Sequence, residues 1–116
     1  MITKKTYRKI VVFAICVAAN LQARRCLVTT DGGYMMVDKK GMPIVMDNQS
    51  GIESLFDGLN SGDMIIAACP YMVETSYPGK TSVLMCIRIA KGSLDNVPEA
   101  ALSELHEMGY KFEGEP

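Results

Sequence analysis

The stretch RCLVTTDGGYMMVDKKGMPIVM, residues 25–46, contains three short apolar segments separated by turn-forming residues. The segments, residues 25–29, 34–38 and 42–46, have the length of β-strands. Asp31-Gly32-Gly33 indicates a hairpin between the first two, because glycine accepts the positive φ of tight primed turns. Pro43 has no backbone N–H, so we expect the third strand to lie at an edge or to begin irregularly.

Two further apolar runs follow, residues 64–69 and 83–89, and both have strand length. The segment 70–81 between them contains two prolines and a glycine, which predicts a hairpin with a long loop. Before the fourth strand, apolar side chains recur with helical spacing, and Ser50 precedes them as a helix cap. These side chains are Ile52, Leu55, Phe56 and Leu59.

The clearest single element is a C-terminal helix, within residues 93–112. Asn96 and Glu99 have the spacing of a capping box, and Pro98 suits the first turn. An apolar stripe follows and Gly109 ends the helix. The stripe consists of Val97, Ala101, Leu102, Leu105 and Met108. We predict a mainly β fold: a small five-stranded OB-like barrel over residues 24–92, one short helix before its fourth strand, and the C-terminal helix packed on it.

Length and charge narrow the function further. The chain has 116 residues, which suits one domain, and a net charge of −1. Its first 23 residues hold four bases and no acid, whereas the rest holds 8 bases and 13 acids. Because nucleic acids are bound mainly through Lys and Arg, an acidic body argues against a nucleic-acid partner.

Residues 1–23 have two alternative interpretations. A basic stretch, an apolar run at 10–19 and a less apolar exit follow in the order of a secretory signal, and the run is too short to span a bilayer as a helix. The same run, rich in β-branched residues, is also typical of a buried first strand. The segment is therefore a signal or anchor, or the first strand of the sheet. Any membrane contact would be made through this segment, if it is retained.

The four cysteines are Cys16, Cys26, Cys69 and Cys86, and none forms a short metal-binding pair. We expect no metal or other cofactor. Free, mostly buried thiols are the first interpretation. A single Cys69–Cys86 disulfide is the alternative, because both residues lie on predicted neighbouring strands.

The segment 74–81 joins two predicted strands, and binding residues are often found in such loops. Its Glu74, Ser76, Tyr77 and Lys80 are our candidate ligand-binding residues; a purely structural loop is the alternative. Gly79-Lys80-Thr81 resembles the end of a phosphate-binding loop but lacks the earlier glycine and the following helix. His106 is expected on the helix surface, with no catalytic partner near it in sequence.

The motifs GLNSGDMII, residues 58–66, and ETSYPG, residues 74–79, resemble those of small uncharacterised extracytoplasmic proteins of Gram-positive bacteria. The resemblance covers residues 24–90. It implies an OB-like five-stranded barrel behind a signal or lipoprotein segment, and it implies no established activity. The chain departs from the pattern in reading E-T-S-Y for E-S-Y and in lacking a lipobox.

We therefore expect a non-catalytic binding or interaction domain of the cell envelope, with a small molecule or a protein as partner. An intracellular OB-fold module that binds nucleic acid is the first alternative, although the body lacks a basic groove and is poor in aromatic residues. An enzyme is the second alternative. It would require Glu74, Tyr77 and His106 to share one pocket.

Overall fold

The computed structural model describes residues 3–18, 23–69, 71–73 and 76–115. Two α-helices flank a run of seven strands in the described chain. The elements are α1 (Lys4–Ala18), β1 (Arg24–Val28), β2 (Tyr34–Val37), β3 (Pro43–Asn48), β4 (Met64–Ala68), β5 (Tyr71–Val73), β6 (Gly79–Val83), β7 (Met85–Ala90), a 3₁₀ turn (Leu94–Asn96) and α2 (Glu99–Glu107). The prediction of a mainly β chain with a C-terminal helix is confirmed.

The strands form one open sheet in the order β5-β6-β3-β2-β1-β4-β7. All neighbours are antiparallel except β3 and β6, which run parallel. The predicted five-stranded OB-like barrel is therefore wrong in strand number and in closure. The strands β5 and β7 that end the sheet lie at opposite sides of it, so they do not pair to close a barrel.

The segment 70–81, predicted as a long loop, contains β5 and the start of β6. Val83, predicted to begin the next strand, ends β6 instead, and that next strand, β7, begins at Met85. The β6 sequence GKTSV lacks an apolar run, yet Gly79, Thr81 and Val83 are buried in it. It pairs in parallel with β3, from Ile44 to Asn48. Pairing with a distant strand buries these small residues, and no local sequence pattern reveals such a pairing.

The first hairpin is confirmed, with Val28 opposite Tyr34 and Gly32 at φ 94° in its loop. Pro43 begins β3 and pairs with Val37, in the middle of the sheet. The expected edge position is therefore wrong, and the β2–β3 register shows no irregular start. Proline is tolerated there because it is the first residue of the strand.

Alternate residues of β1 and β2 belong to two separate apolar clusters, one on each face of the sheet. Cys26 and Met36 belong to the first, which also contains Phe56 and Leu59 of the segment before β4. The second contains side chains of β1, β2 and α2, together with Phe112. Burial on both faces explains why the strands read as continuous apolar runs.

The predicted helix at 52–59 is absent, although its apolar side is buried as expected. Consecutive turns replace it, with N–H groups bonded to the carbonyl three residues earlier, as from Leu59 to Phe56. Gly51 and Gly58 have φ of 78° and 81°, which interrupts a right-handed helix. The ring of Phe56 packs on Tyr34 with 4.9 Å between centroids.

Residues 4–18 form α1, so the alternative of a first strand at 10–19 is wrong for the part of that range the structure describes. The helix satisfies its own backbone polar groups, and it contacts β4 without joining the sheet. Among the described residues, no helix has the length and apolar character needed to cross a membrane.

Helix α2 lies on the sheet face formed by Leu27, Met35 and Val37. Its Ala101 and Leu105 are buried as predicted, whereas Met108 is 47% exposed. The cap differs from the prediction. Pro98 is the N-cap residue, and the Asn96 side chain instead accepts the N–H of Ser93 within the 3₁₀ turn, at 2.9 Å. Gly109, at φ 96°, follows the helix as expected.

Candidate functional site

Of the four predicted ligand-binding residues in the 74–81 segment, the structure describes Ser76, Tyr77 and Lys80, and each has a different partner or neighbour. Glu74 lies outside the described residues. The Ser76 hydroxyl donates to the carbonyl oxygen of Pro78 at 2.9 Å, which is a contact within its own turn. Lys80 is exposed on strand β6, opposite Val45 of β3. Ser76 therefore stabilises a turn, and Lys80 belongs to a strand rather than a loop.

Tyr77 is 42% exposed and its hydroxyl donates to the Glu104 carboxylate on α2. This bond, with partial burial and the nearby negative charge, raises the pKa of Tyr77 to about 12. The ring thus ties the segment before β6 to the helix that covers the sheet. This contact is one that a purely structural loop would make.

His106 bonds to a different carboxylate, Glu115, at 2.5 Å. Its ring lies 5.9 Å from that of Phe112, near the C-terminus. Tyr77 and His106 are therefore each paired with their own acid on α2 or in the tail. An enzyme would require Glu74, Tyr77 and His106 to share one pocket. The structure describes Tyr77 and His106, and their side chains bond to different acids, Glu104 and Glu115.

Cys26, Cys69 and Cys86 are free thiols around one apolar cluster. In the β4–β7 ladder Cys86 pairs with Ala67, so Cys69 is its diagonal neighbour. Diagonal residues are about 7–8 Å apart, whereas a disulfide needs Cβ atoms about 3.8 Å apart. Burial raises the pKa of Cys26 and Cys86 to about 12. Within the described residues, no cluster of three or more His, Cys, Asp or Glu is placed to hold a metal ion.

Asp63 is a buried carboxylate with three partners. Its carboxylate accepts the N–H groups of Asn60 and Gly92 at 2.9 and 3.0 Å, and Arg88 lies 3.3 Å away. Burial by itself raises the pKa of Asp63, but these bonds outweigh burial and lower it. Gly62 and Asp63 belong to the GLNSGDMII motif, residues 58–66. Through the bond from the Gly92 N–H to Asp63, this motif connects the start of β4 to the segment after β7.

A cavity of about 750 Å³ lies between α1, the 52–59 turns and the edge strand β7. We call it the β7 groove. Its apolar lining includes Ile10, Ile52, Leu55, Leu59, Met85 and Ile87. This volume falls within the range of ligand sites, which are mostly apolar with a few polar groups.

Positive charge surrounds the β7 groove. Lys5, Lys9 and Arg88 line it, against the single carboxylate of Asp57. An adjoining cavity of about 460 Å³ adds Lys4 and Arg8. All four bases of the N-terminal segment thus line these two cavities, although the rest of the chain is acidic.

Strand β7 forms the edge of the sheet, and β4 is its one strand partner in the described part of the chain. Ile87 and Ile89 are 41% and 49% exposed on it. The Arg88 guanidinium between them is engaged elsewhere, at 2.8 Å from the Gly58 carbonyl oxygen and at the Asp63 carboxylate. The groove therefore combines an open strand edge with exposed apolar side chains.

Comparison with family models, curated proteins and solved structures gives no match. The resemblance to extracytoplasmic proteins stays a prediction.

The residues that line the groove come from three separate stretches of the sequence, and no local pattern predicts that they lie together. The four N-terminal bases were interpreted as the start of a signal, and the apolar residues of 52–59 and 83–89 as core. The signal that could have pointed to the groove is the contrast between a basic N-terminal segment and an acidic body.

Proposed function

We propose that the chain is a non-catalytic binding domain whose ligand occupies the β7 groove. The ligand presents a negative charge beside an apolar group. The observation that carries this proposal is the placement of all four N-terminal bases around cavities with apolar linings.

The chemistry follows from the lining. Ile10 and Ile87 are 52% and 41% exposed and Leu55 is partly buried, so these lining residues offer apolar surface. Burial of such surface stabilises a complex by about 25 cal/mol per Å² before the costs of association. Lys5 and Lys9 are solvent-exposed, so each contributes about 0.2–1 kcal/mol to an ion pair and less at high salt. Apolar contact therefore supplies most of the affinity, and charge selects the ligand.

The test uses dodecanoate below its micelle concentration as probe, with binding measured by titration calorimetry. We expect the Lys5→Gln/Lys9→Gln variant to bind it about tenfold more weakly, because two cations are removed. Lys39→Gln/Lys40→Gln is the matched control, since it removes two exposed lysines in the turn between β2 and β3. Unchanged affinity in the first variant, or an equal loss in the control, would contradict the proposal.

A cell-envelope location is part of the same proposal, supported by the signal-like order of residues 1–23. The groove adds a condition to it. Because Lys5, Lys9 and Ile10 line the site, the segment has to act as a retained anchor and not as a cleaved signal. The test measures the intact mass of the protein after export by a bacterial host. Loss of about 19–23 residues, the length of a typical signal, would contradict the proposal that the β7 groove is the ligand site.

A further inference from the structure

We infer that the natural occupant of the β7 groove is an extended acidic segment of a partner protein, which adds to the sheet as a strand beside β7. This inference rests on the proposed function and names the class of partner. Strand addition to an open edge is a recurring mode of peptide recognition, in which main-chain hydrogen bonds give affinity and side-chain pockets give specificity.

The two edges of the sheet differ in a way that singles out β7. The opposite edge strand, β5, has three residues, and very short edge strands limit unwanted pairing. Strand β7 has six residues. Its pairing with β4 is irregular only opposite Met64 and Ile65 of β4, near the C-terminal end of β7. The regular stretch from Met85 to Arg88 remains available for a further strand.

The usual protection of an edge by charge is also weak on β7. Edge strands commonly carry a charged side chain that discourages pairing. The one charge within β7, Arg88, is bonded to the Asp63 carboxylate and the Gly58 carbonyl, while Ile87 and Ile89 remain exposed. An exposed apolar edge of this kind is a pairing site.

The walls of the groove select the sequence of the added strand. Successive side chains of a strand point to opposite faces, so one set of its side chains faces each wall. The 52–59 wall offers the partly buried Ile52 and Leu55, and the α1 wall offers Lys5 and Lys9. Alternating apolar and acidic side chains complement both walls, and a basic partner would meet like charge.

The experiment uses a short capped peptide of alternating glutamate and valine, labelled for fluorescence anisotropy. We expect it to bind the full chain, and its lysine-valine analogue to bind at least about tenfold more weakly because of the groove's charge. A glutamate-valine peptide methylated on alternate backbone nitrogens keeps the side chains but loses main-chain donors. We expect it also to bind at least about tenfold more weakly.

A variant of the edge completes the test. Ile87→Lys places an unpaired charge on β7 and is expected to abolish peptide binding. Met108→Lys is the matched control, because Met108 is a similarly exposed apolar residue on α2. Its peptide affinity should remain that of the parent chain.

The other outcomes separate this inference from the proposed function. Equal binding of the methylated peptide, or binding of dodecanoate without the peptide, would overturn strand addition and leave the binding domain standing. If neither dodecanoate nor the glutamate-valine peptide binds, both the strand-addition inference and the proposed function would be overturned. A further outcome is a concentration-dependent dimer, detected by light scattering, that Ile87→Lys abolishes. That result would show that a second copy of the chain occupies the β7 edge, and it would overturn the inference that a partner protein does so.

Discussion

Gly62 lies against the main chain of Ser93 so closely that a Cβ added to Gly62 would stand 1.8 Å from the Ser93 carbonyl oxygen. Gly62 has φ 95°, and a Cβ on the facing Gly92 would stand 2.1 Å from the Gly62 carbonyl oxygen. Two glycines therefore allow the chain before β4 to contact the chain after β7. The neighbouring Asp63 carboxylate holds the same junction by accepting the Gly92 N–H.

Gly62→Ala should lower the free energy of unfolding by about 4 kcal/mol, because the new methyl group would overlap backbone atoms that cannot move aside alone. Gly58→Ala is the control: Gly58 has φ 81° but nothing within 4 Å of an added Cβ. It should cost about 1 kcal/mol, from backbone strain only. Urea denaturation of both variants measures the difference, and equal losses would show that the close contact is not decisive.

Asp63→Asn should lower the free energy of unfolding by about 2–3 kcal/mol. The N–H groups of Asn60 and Gly92 donate to different carboxylate oxygens, so an amide leaves one of them without an acceptor, and it also removes the negative charge that faces Arg88. The lowered pKa of Asp63 fixes the sign of the pH dependence. Its stabilisation is present above the pKa of the unfolded chain and is lost as the pH falls through the folded pKa. Asp63→Asn should therefore flatten the acid limb of stability against pH, and the exposed Asp95→Asn should not.

The bond from Tyr77 to Glu104 should be visible in the alkaline titration of the tyrosines. The pKa of Tyr77 is raised to about 12 by its hydrogen bond to the Glu104 carboxylate. Glu104→Gln removes the negative charge, so one tyrosine should then titrate nearer the usual pKa of about 10. Ultraviolet absorbance follows the phenolates, and Tyr77→Phe identifies the step. A titration that Glu104→Gln leaves unchanged would contradict the contact.

Cys26 and Cys86 should resist alkylation by iodoacetamide in the folded protein and react once it is unfolded. Burial raises the pKa of both thiols to about 12, and the thiolate is the reactive form. Peptide mapping after labelling without reductant distinguishes each cysteine. A peptide linked through Cys69 and Cys86 would instead revive the disulfide that the strand register disfavours.

Local sequence was sufficient where the signal was short-range. The hairpin at Asp31-Gly32-Gly33 and the stripe of α2 depend on turn chemistry and helical spacing. The structure confirms the hairpin and the burial of Ala101 and Leu105, but not that of Met108. The helix predicted at 52–59 is absent: Gly58 has a positive φ within that range, and Gly51 has one just before it. Of its apolar side, Phe56 and Leu59 are buried as expected. Strand β6 was missed because parallel pairing with β3 decides its conformation and its own residues do not.

The ligand-binding role predicted for the 74–81 segment stays a prediction, and the contacts described for two of its residues are structural ones. Exposed polar residues in the 74–81 segment were interpreted as ligand contacts, but Tyr77 bonds to Glu104 and Ser76 to its own turn. The β7 groove instead combines α1, the 52–59 turns and the strand edge, which are distant in sequence.

A mainly β chain with a closing helix can be predicted from local sequence, because turn residues and the period of apolar side chains act over a few positions. The sequence by itself determined the charge contrast between a basic N-terminal segment and an acidic body. Only the tertiary structure decided that the sheet is open, that β7 is an edge and that the basic segment lies beside it. Strand order and the packing of α1 depend on contacts between residues far apart in the chain, which local patterns do not encode.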